Sequence, residues 1–328
     1  MDLIGHENTK LQINIAFLSA KKRNMAIPHM LFSGTAGCGK TSMAKEIAKL
    51  DNSDFLSISP EAIKDLKSTK KLMENLNHSG YDASGNRVGA IKPSILLLDE
   101  IHKLPLAGQE ALGIAMENYM LETGRANKFY WLPYFTLIGA TTMAGELSKP
   151  FLDRFKMSFT FEPYSISDSF KIVKAHCSRL SIAITSESVA TIAKRGRGIP
   201  RIMVKYLEMI RDFTFAKNSK VITLETTLET FRSLGIDVEG FSLVEIKILK
   251  TLYEEDKPVG LENLAIIVGE SAKTLKETIE PYLIQRGFIL RSGSGRLITR
   301  LGKEYIDKQN YVNTKTNKIN IPANYVRQ

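Results

Sequence analysis

Residues 34–41 have the types and spacing of a phosphate-binding loop, with the sequence Gly-Thr-Ala-Gly-Cys-Gly-Lys-Thr. Its glycines let the backbone curve closely around a polyphosphate, and the exposed amides of the following helix point at the anion. Lys40 is expected to reach the outer phosphates, and Thr41 to place its hydroxyl on Mg²⁺. Cys38 is interpreted as a small tolerated residue rather than a nucleophile.

Two adjacent carboxylates, Asp99 and Glu100, follow the apolar run Ile95–Leu98. Carboxylates at the end of a buried strand are costly unless they meet a cation or a substrate. Asp99 suits the shell of Mg²⁺, and Glu100 suits the position that orients the attacking water. Together with the loop, the pair predicts hydrolysis of ATP.

The elements that must position these residues alternate between strand and helix up to about residue 161. We predict a doubly wound α/β domain with a parallel sheet, in which ligands bind at the carboxyl ends of the strands. The loop and Asp99-Glu100 both fall at such ends. The predicted strands are Met30–Ser33, Phe55–Ile58, Ile95–Leu98, Phe135–Ala140 and Met157–Phe161.

Beyond this domain the pattern changes twice. It becomes helical from about residue 165, with helices predicted over Ser167–Ser178, Ser186–Lys194 and Pro200–Ala216. Three further helices are predicted over Leu243–Tyr253, Leu261–Val268 and 271–285, and a hairpin follows, which is winged-helix order. We therefore predict domains over residues 1–164, 165–236 and 237–307, and a basic tail over 308–328.

Four more polar residues are candidates for the ATP site. Thr141 and Thr142 end a buried strand, where a hydroxyl near the γ-phosphate can hold the attacking water; we favour Thr142, with Thr141 second. Arg154 is either a surface residue or a cation that reaches a neighbouring subunit's ATP. Arg201 starts a helix, where a cation is unfavourable unless an anion such as phosphate lies nearby.

The composition limits the class of protein. A net charge of +10 favours a polyanionic partner, and two cysteines without a zinc-type cluster fit a reducing compartment. No apolar run approaches the length of a membrane span, so we expect a cytoplasmic protein.

Over about residues 1 to 305, a series of motifs in unbroken order closely resembles the RuvB family of AAA+ motors, which drive branch migration of Holliday junctions. The motifs are Leu3-Ile4-Gly5, the phosphate loop, 98–104, 115–117, 135–142, Asp153-Arg154-Phe155, 197–201, 211–213, 258–261, 280–283 and Gly287-Phe288. The resemblance implies an AAA+ P-loop NTPase with a helical lid and a winged helix, assembled as a hexamer on double-stranded or four-way junction DNA.

The resemblance also implies roles for single residues. Lys40, Thr41, Asp99 and Glu100 form the ATPase core, Thr142 is the first sensor, Arg154 the trans-acting finger and Arg201 the second sensor. Arg291 and Arg296 on the hairpin are the expected contacts to DNA phosphates. The residues expected to bind ATP are Ile4, Gly5, Gly34, Gly37, Cys38, Gly39, Lys40, Thr41, Ser42, Tyr164 and Arg201, with Thr41 and Asp99 on Mg²⁺.

The sequence departs from the family pattern in two regions. The segment 119–132, which in the family docks the junction-binding partner RuvA, is short here and carries Phe129-Tyr130-Trp131. These aromatics either pack on the sheet or form an altered partner surface. The segment 78–92 is an insertion-like surface loop.

Two other functions share part of this pattern. A clamp-loader or helicase-loader type of nucleotide switch uses the same ATPase motifs. A winged-helix regulator with a dormant ATPase domain is disfavoured, because competent residues fill the catalytic positions.

Overall fold

The computed structural model describes residues 1–74, 76, 80–81, 87–88, 93–122 and 129–316. It divides the chain into two compact units, Met1–Thr227 and the remainder from Leu228. No helix in the described ranges is long and apolar enough to cross a membrane.

The first unit holds the predicted nucleotide-binding and lid elements. In chain order they are α1 (Glu7–Arg23), β1 (Met30–Gly34), α2 (Lys40–Asp51), β2 (Phe55–Ile58), α3 (Leu66–Glu74), β3 (Gly80–Tyr81), β4 (Arg87–Val88), β5 (Ser94–Leu98), α4 (Leu106–Asn118), β6 (Met120–Glu122), β7 (Phe129–Trp131), β8 (Phe135–Ala140), α5 (Lys149–Leu152), β9 (Met157–Phe161), α6 (Ile166–Arg179), β10 (Ala183–Ile184), α7 (Ser186–Arg195), α8 (Pro200–Ala216) and β11 (Val221–Ile222). The helix α9 (Leu224–Ser233) spans the boundary between the units.

The main sheet has the five parallel strands that the sequence predicted, and their order is β2-β5-β8-β1-β9. The side chains of β5 alternate between two hydrophobic clusters: Leu96 and Leu98 join one, and Ile95 and Leu97 join the other. This alternation follows from the two-residue period of a strand, and it confirms that β5 is buried on both faces. The sheet therefore holds the ends of β1, β5 and β8 side by side at one edge.

Local sequence explains where the lid helices begin. The Ser165 hydroxyl accepts a hydrogen bond from the Asp168 amide at the start of α6. Thr185 caps α7 in the same way, one residue before the predicted start at Ser186. Pro200 occupies the first turn of α8, where its missing N–H is not needed.

The second unit has the predicted winged-helix order. Its elements are α10 (Leu243–Glu255), α11 (Leu261–Val268), α12 (Ala272–Thr274), a π-helical segment Leu275–Ile279, α13 (Glu280–Gln285), β12 (Ile289–Ser292), β13 (Gly295–Ile298) and α14 (Arg300–Thr316). Ser242 and Glu245 form a capping box at the start of α10.

One expectation for this unit is revised, and another gains detail. The predicted third helix is interrupted by the π-helical segment, which directly precedes Pro281 and its neighbour Glu280. Proline cannot donate to the preceding turn and displaces its carbonyl, so the turn widens. The expected tail from Lys308 is helical as far as Thr316, because α14 continues past residue 307. Residues 317–328, with Lys318 and Arg327, lie outside the described residues.

The two regions that depart from the family pattern are described in part. In segment 78–92, β3 and β4 pair in antiparallel fashion, and the remaining residues of that segment lie outside the described ranges. In segment 119–132, β6 and β7 form a hairpin whose tip, 123–128, also lies outside them. Tyr130 packs against the hydrophobic cluster of β5 and α4, and the Lys70 ammonium lies 4.9 Å from its ring centre. Tyr130 thus fits the interpretation of sheet packing.

Candidate ATP site

The first unit contains a cavity of about 800 Å³ at the carboxyl ends of β1 and β5. The residues that line it and that the sequence predicted are Ile4, Gly37, Gly39, Lys40, Thr41, Ser42, Asp99, Glu100, Tyr164 and Arg201. Most of the residues expected to bind or hydrolyse ATP therefore face one space.

The phosphate loop joins β1 to α2 through two glycines in the left-handed region. Gly37 has φ +80°, and a Cβ there would lie 2.9 Å from the Arg201 Cβ. Gly39 has φ +96°, and a Cβ there would lie 2.7 Å from the Tyr164 hydroxyl. Any other residue would be strained and would clash. The missing side chains let the loop lie directly against Arg201 and Tyr164.

Lys40 is held inside the loop. Its ammonium donates to the carbonyls of Gly34 at 2.7 Å and Thr35 at 3.0 Å, and the residue is only 6% exposed. Burial lowers the pKa of the Lys40 ammonium from its usual value, and the nearby carboxylates of Glu100 and Asp99 offset only part of this decrease. A buried cation at the start of a helix is suited to receive the negative charge of a polyphosphate.

Thr41 and Asp99 bring two oxygen ligands together from different elements. The Thr41 hydroxyl, in the first turn of α2, donates to Asp99 Oδ2 at the end of β5 across 3.0 Å. Hydroxyl and carboxylate oxygens are the ligands that Mg²⁺ prefers. The residues present therefore fit the metal that the fold implies.

Two predicted ATP-binding residues, Cys38 beside the cavity and Tyr164 in its wall, are largely buried. Cys38 is fully buried, and burial raises the pKa of its thiol, so it stays protonated. This agrees with a packing role inside the loop. Tyr164 is also largely buried; its ring lies 4.6 Å from that of His6, and burial raises the pKa of its hydroxyl. Gly5 and Gly34 do not line the cavity.

The two candidate threonines at the end of β8 differ in burial. Thr141 is fully buried, and its hydroxyl lies 2.9 Å from His102 Nδ1. Thr142, which the sequence favoured, is exposed and does not line the cavity. In this structure Thr141 is the residue connected to the site, through His102.

Arg154 does not line the cavity of its own chain. Its guanidinium forms an ion pair of 2.9 Å with Glu117, and its side chain is 37% exposed. A partly exposed arginine away from its own ATP site has the placement that a trans-acting residue needs.

Seven residues of the lid helices also line the cavity, although the sequence motifs did not point to them. They recur at helical spacing on one face of α6 and one face of α8, so that periodicity could have identified them. They are Ile172, Ala175, His176, Arg179, Val204, Lys205 and Glu208. Arg179 and Lys205 add positive charge to a site for a polyanion.

In the second unit, the predicted DNA contacts are not alike. Glu280 is fully buried, and its carboxylate binds Arg296 at 2.5 Å and 3.1 Å and Arg291 at 2.7 Å. The Arg296 side chain is 10% exposed, whereas that of Arg291 is 44% exposed. The expectation that Arg296 contacts DNA is therefore revised: its burial and its ion pair with Glu280 fit a structural role. Arg291 keeps a solvent-facing cation on the wing.

Comparisons with known proteins agree with this architecture. Three sequence models of one family match in succession: the Holliday junction DNA helicase RuvB P-loop domain over residues 1–161, the RuvB AAA lid domain over 164–237 and the RuvB C-terminal winged helix domain over 238–307. The chain belongs to the RuvB family.

Relatives and solved structures support the RuvB assignment over most of the chain. The Holliday junction branch migration complex subunit RuvB of Helicobacter pylori strain J99 is 37% identical over 305 residues, covering 91% of this chain and 87% of that protein. The same subunit of Campylobacter jejuni subsp. doylei is 36% identical, with 90% and 86% covered. The Thermotoga maritima RuvB Holliday junction branch migration motor has a TM-score of 0.76 at 32% identity, with 93% and 95% covered.

Proposed function

We propose that the protein is an ATP-driven DNA motor of the RuvB type that promotes branch migration of Holliday junctions. The observation that carries the proposal is the Thr41–Asp99 contact of 3.0 Å beside Lys40, in a chain that matches RuvB from residue 1 to 307. A competent nucleotide site thus occurs together with the lid and winged helix of that family.

ATP binds in the cavity between the phosphate loop and the lid helices. The loop amides receive the phosphates, and Lys40 exchanges its carbonyl contacts for phosphate oxygens. Arg201 lies against Gly37 and supplies a second cation from the lid. Thr41 and Asp99 would hold Mg²⁺, which would supply positive charge to neutralise the phosphates.

Hydrolysis is assigned to Glu100 and to a neighbouring subunit. Glu100 faces the cavity, and its carboxylate orients the water that attacks the γ-phosphorus while the bond to ADP breaks. Arg154 of an adjacent copy supplies positive charge to the transferring phosphoryl group. This assignment requires a ring, which we propose is a homohexamer.

The winged helix holds the DNA. Arg291 contacts backbone phosphates without reading sequence, and Arg296 supports it through Glu280. A RuvA-type junction-binding protein is the proposed partner, docked on the hairpin of β6 and β7. We expect the protein to act in the cytoplasm.

The test is the ATP-dependent dissociation of a synthetic four-way junction into duplexes by branch migration, with and without a RuvA-type protein. ATP-dependent conversion in either condition supports the motor, and the difference between the two shows whether the partner is needed. ATP hydrolysis without conversion in both conditions would contradict the proposal and favour a loader-type switch. The variant Lys40→Ala is the control, since it removes the cation from the phosphate loop.

A further inference from the structure

His102 occupies a position between two strand ends of the ATP site. Its Nδ1 lies 2.9 Å from the Thr141 hydroxyl at the end of β8 and 3.4 Å from Glu100 Oε2 at the end of β5. Its side chain is 11% exposed. It does not line the ATP cavity, so it is placed to act on Glu100 rather than on the nucleotide.

The backbone of Glu100 is unusual for a residue with a side chain. Its φ is +53°, in the left-handed region, which is unfavourable for a non-glycine residue and persists only where the surroundings hold it. This conformation starts the short 3₁₀ turn Ile101–Lys103, which carries His102 back towards β8. The turn thereby brings the imidazole of His102 next to the carboxylate of Glu100, two residues earlier in the chain.

The hydrogen bonds around Nδ1 indicate where its proton lies. The Thr141 oxygen accepts the Met143 amide N–H at 2.9 Å and retains a further lone pair. Nδ1 faces this oxygen and a carboxylate oxygen, both of which can accept. We assign the proton to Nδ1, which donates to Thr141 and lies close to Glu100 as a second acceptor.

We propose that His102 is a positioning residue. Thr141 holds its imidazole, and the imidazole aligns the Glu100 carboxylate. The buried hydroxyl is fixed to the end of β8, the imidazole is fixed to the hydroxyl, and the direction of the carboxylate follows. The inference rests on the proposed ATPase reaction and names a further residue that this reaction needs.

The test compares steady-state ATP hydrolysis by His102→Leu, His102→Asn and Thr141→Val. Displacing a reacting group by about 1 Å can cost about 100-fold, so His102→Leu is expected to lower kcat by about 10- to 100-fold. KM and the Kd for ATP should change by less than about twofold, because His102 does not line the cavity. His102→Asn should recover most of the loss, since its amide N–H can occupy the place of Nδ1. Lys103→Ala, an exposed neighbour, is the matched control with unchanged kcat.

The double variant His102→Leu/Thr141→Val should lose no more than the larger single effect, because the two residues act as one unit. The proposal is overturned if His102→Leu keeps the wild-type kcat, if asparagine is no better than leucine, or if the two single losses multiply. A purely structural role would instead lower Tm and ATP affinity together.

A second readout does not depend on turnover. In protein labelled with ¹⁵N-histidine, the His102 resonances are identified by their loss in His102→Asn. They should show the Nδ1-protonated tautomer, and the Nδ1 signal should move in Thr141→Val. Wild-type protein that shows this spectrum without hydrolysing ATP would contradict the proposed function and leave the His102–Thr141 link supported. An Nε2-protonated ring that is insensitive to Thr141→Val would overturn the link.

Discussion

The Thr41 hydroxyl donates a hydrogen bond to Asp99 Oδ2 across 3.0 Å, although 57 residues separate them in sequence. One lies in the first turn of α2 and the other at the end of β5, and the parallel sheet places these two positions side by side. We therefore expect Asp99→Asn to weaken magnesium-dependent ATP binding by at least about tenfold, the loss that even an outer-shell partner of a metal causes. Titration calorimetry with ATP, in Mg²⁺ and in EDTA, measures it. An equal loss in both conditions would place Asp99 outside the metal site.

Arg154 should act on the ATP of a neighbouring subunit. Arg154→Ala is expected to lower kcat by about 1,000-fold or more, the usual value of an arginine finger. Lys156→Ala, which removes a nearby exposed cation, should have little effect.

A mixing experiment separates action in trans from action in cis. Lys40→Ala subunits lack a working ATP site but keep Arg154. Arg154→Ala subunits keep the ATP site but lack the arginine. Mixing the two inactive proteins should restore part of the ATPase activity, because some sites then face an intact arginine. Absence of any recovery, or intact hydrolysis by Arg154→Ala alone, would show that Arg154 does not act across the interface.

His29 makes the first unit sensitive to acid. Its Nδ1 accepts the Leu137 amide N–H at 2.9 Å, its Nε2 lies 3.1 Å from the Met116 carbonyl, and burial lowers the pKa of the ring to about 4. The unfolded state, with a pKa near 6.5, binds more protons below that pH. The free energy of unfolding should thus fall as the pH drops from 6.5 towards 4, by about 3 kcal/mol in total.

The only tryptophan, Trp131, lies in this unit, so its fluorescence in urea titrations reports on the unit directly. The free energy of unfolding of the wild-type protein should be about 2 kcal/mol lower at about pH 5 than at about pH 7. His29→Gln, which cannot titrate, should lose correspondingly less. Identical losses in the two proteins would assign the acid sensitivity to other groups.

Arg291 and Arg296 should separate DNA binding from stability. Arg291→Ala is expected to weaken binding to any duplex and to reduce the slope of log K against log[salt] by about 0.9. Arg296→Ala is expected to destabilise the winged helix by about 3–5 kcal/mol, because it removes a partner of the buried Glu280. Salt-dependent anisotropy and thermal unfolding measure the two effects. A reversal, with Arg296→Ala stable and defective in DNA binding, would restore the original expectation for Arg296.

The sequence predicted the nucleotide-binding domain well because its signals are local. The phosphate loop carries its own glycines, and the apolar run before Asp99 specifies a strand buried on both faces. The winged helix was also predictable in outline, from helix periodicity and the glycine turn of the wing.

Contacts that depend on tertiary packing were harder to predict. Arg296 was predicted to contact DNA because its buried partner, Glu280, lies 16 residues away in sequence and is not evident from the hairpin alone. A signal existed, since Arg291 and Arg296 are directly opposite in the hairpin, and two like charges there need an acid between them. The sequence favoured Thr142 over Thr141, whereas the structure buries the Thr141 hydroxyl against His102, a contact between separate elements that strand periodicity does not reveal.

The most direct test is to measure ATP turnover and four-way junction conversion in the same sample for wild-type protein and Glu100→Gln. We predict that the wild-type protein hydrolyses ATP and converts the junction. Glu100→Gln should bind ATP and DNA with near wild-type affinity. It should neither hydrolyse ATP nor convert the junction, because the carboxylate that orients the water is lost. Junction conversion by Glu100→Gln, or ATP hydrolysis by the wild-type protein without conversion, would contradict the claim that this site drives branch migration.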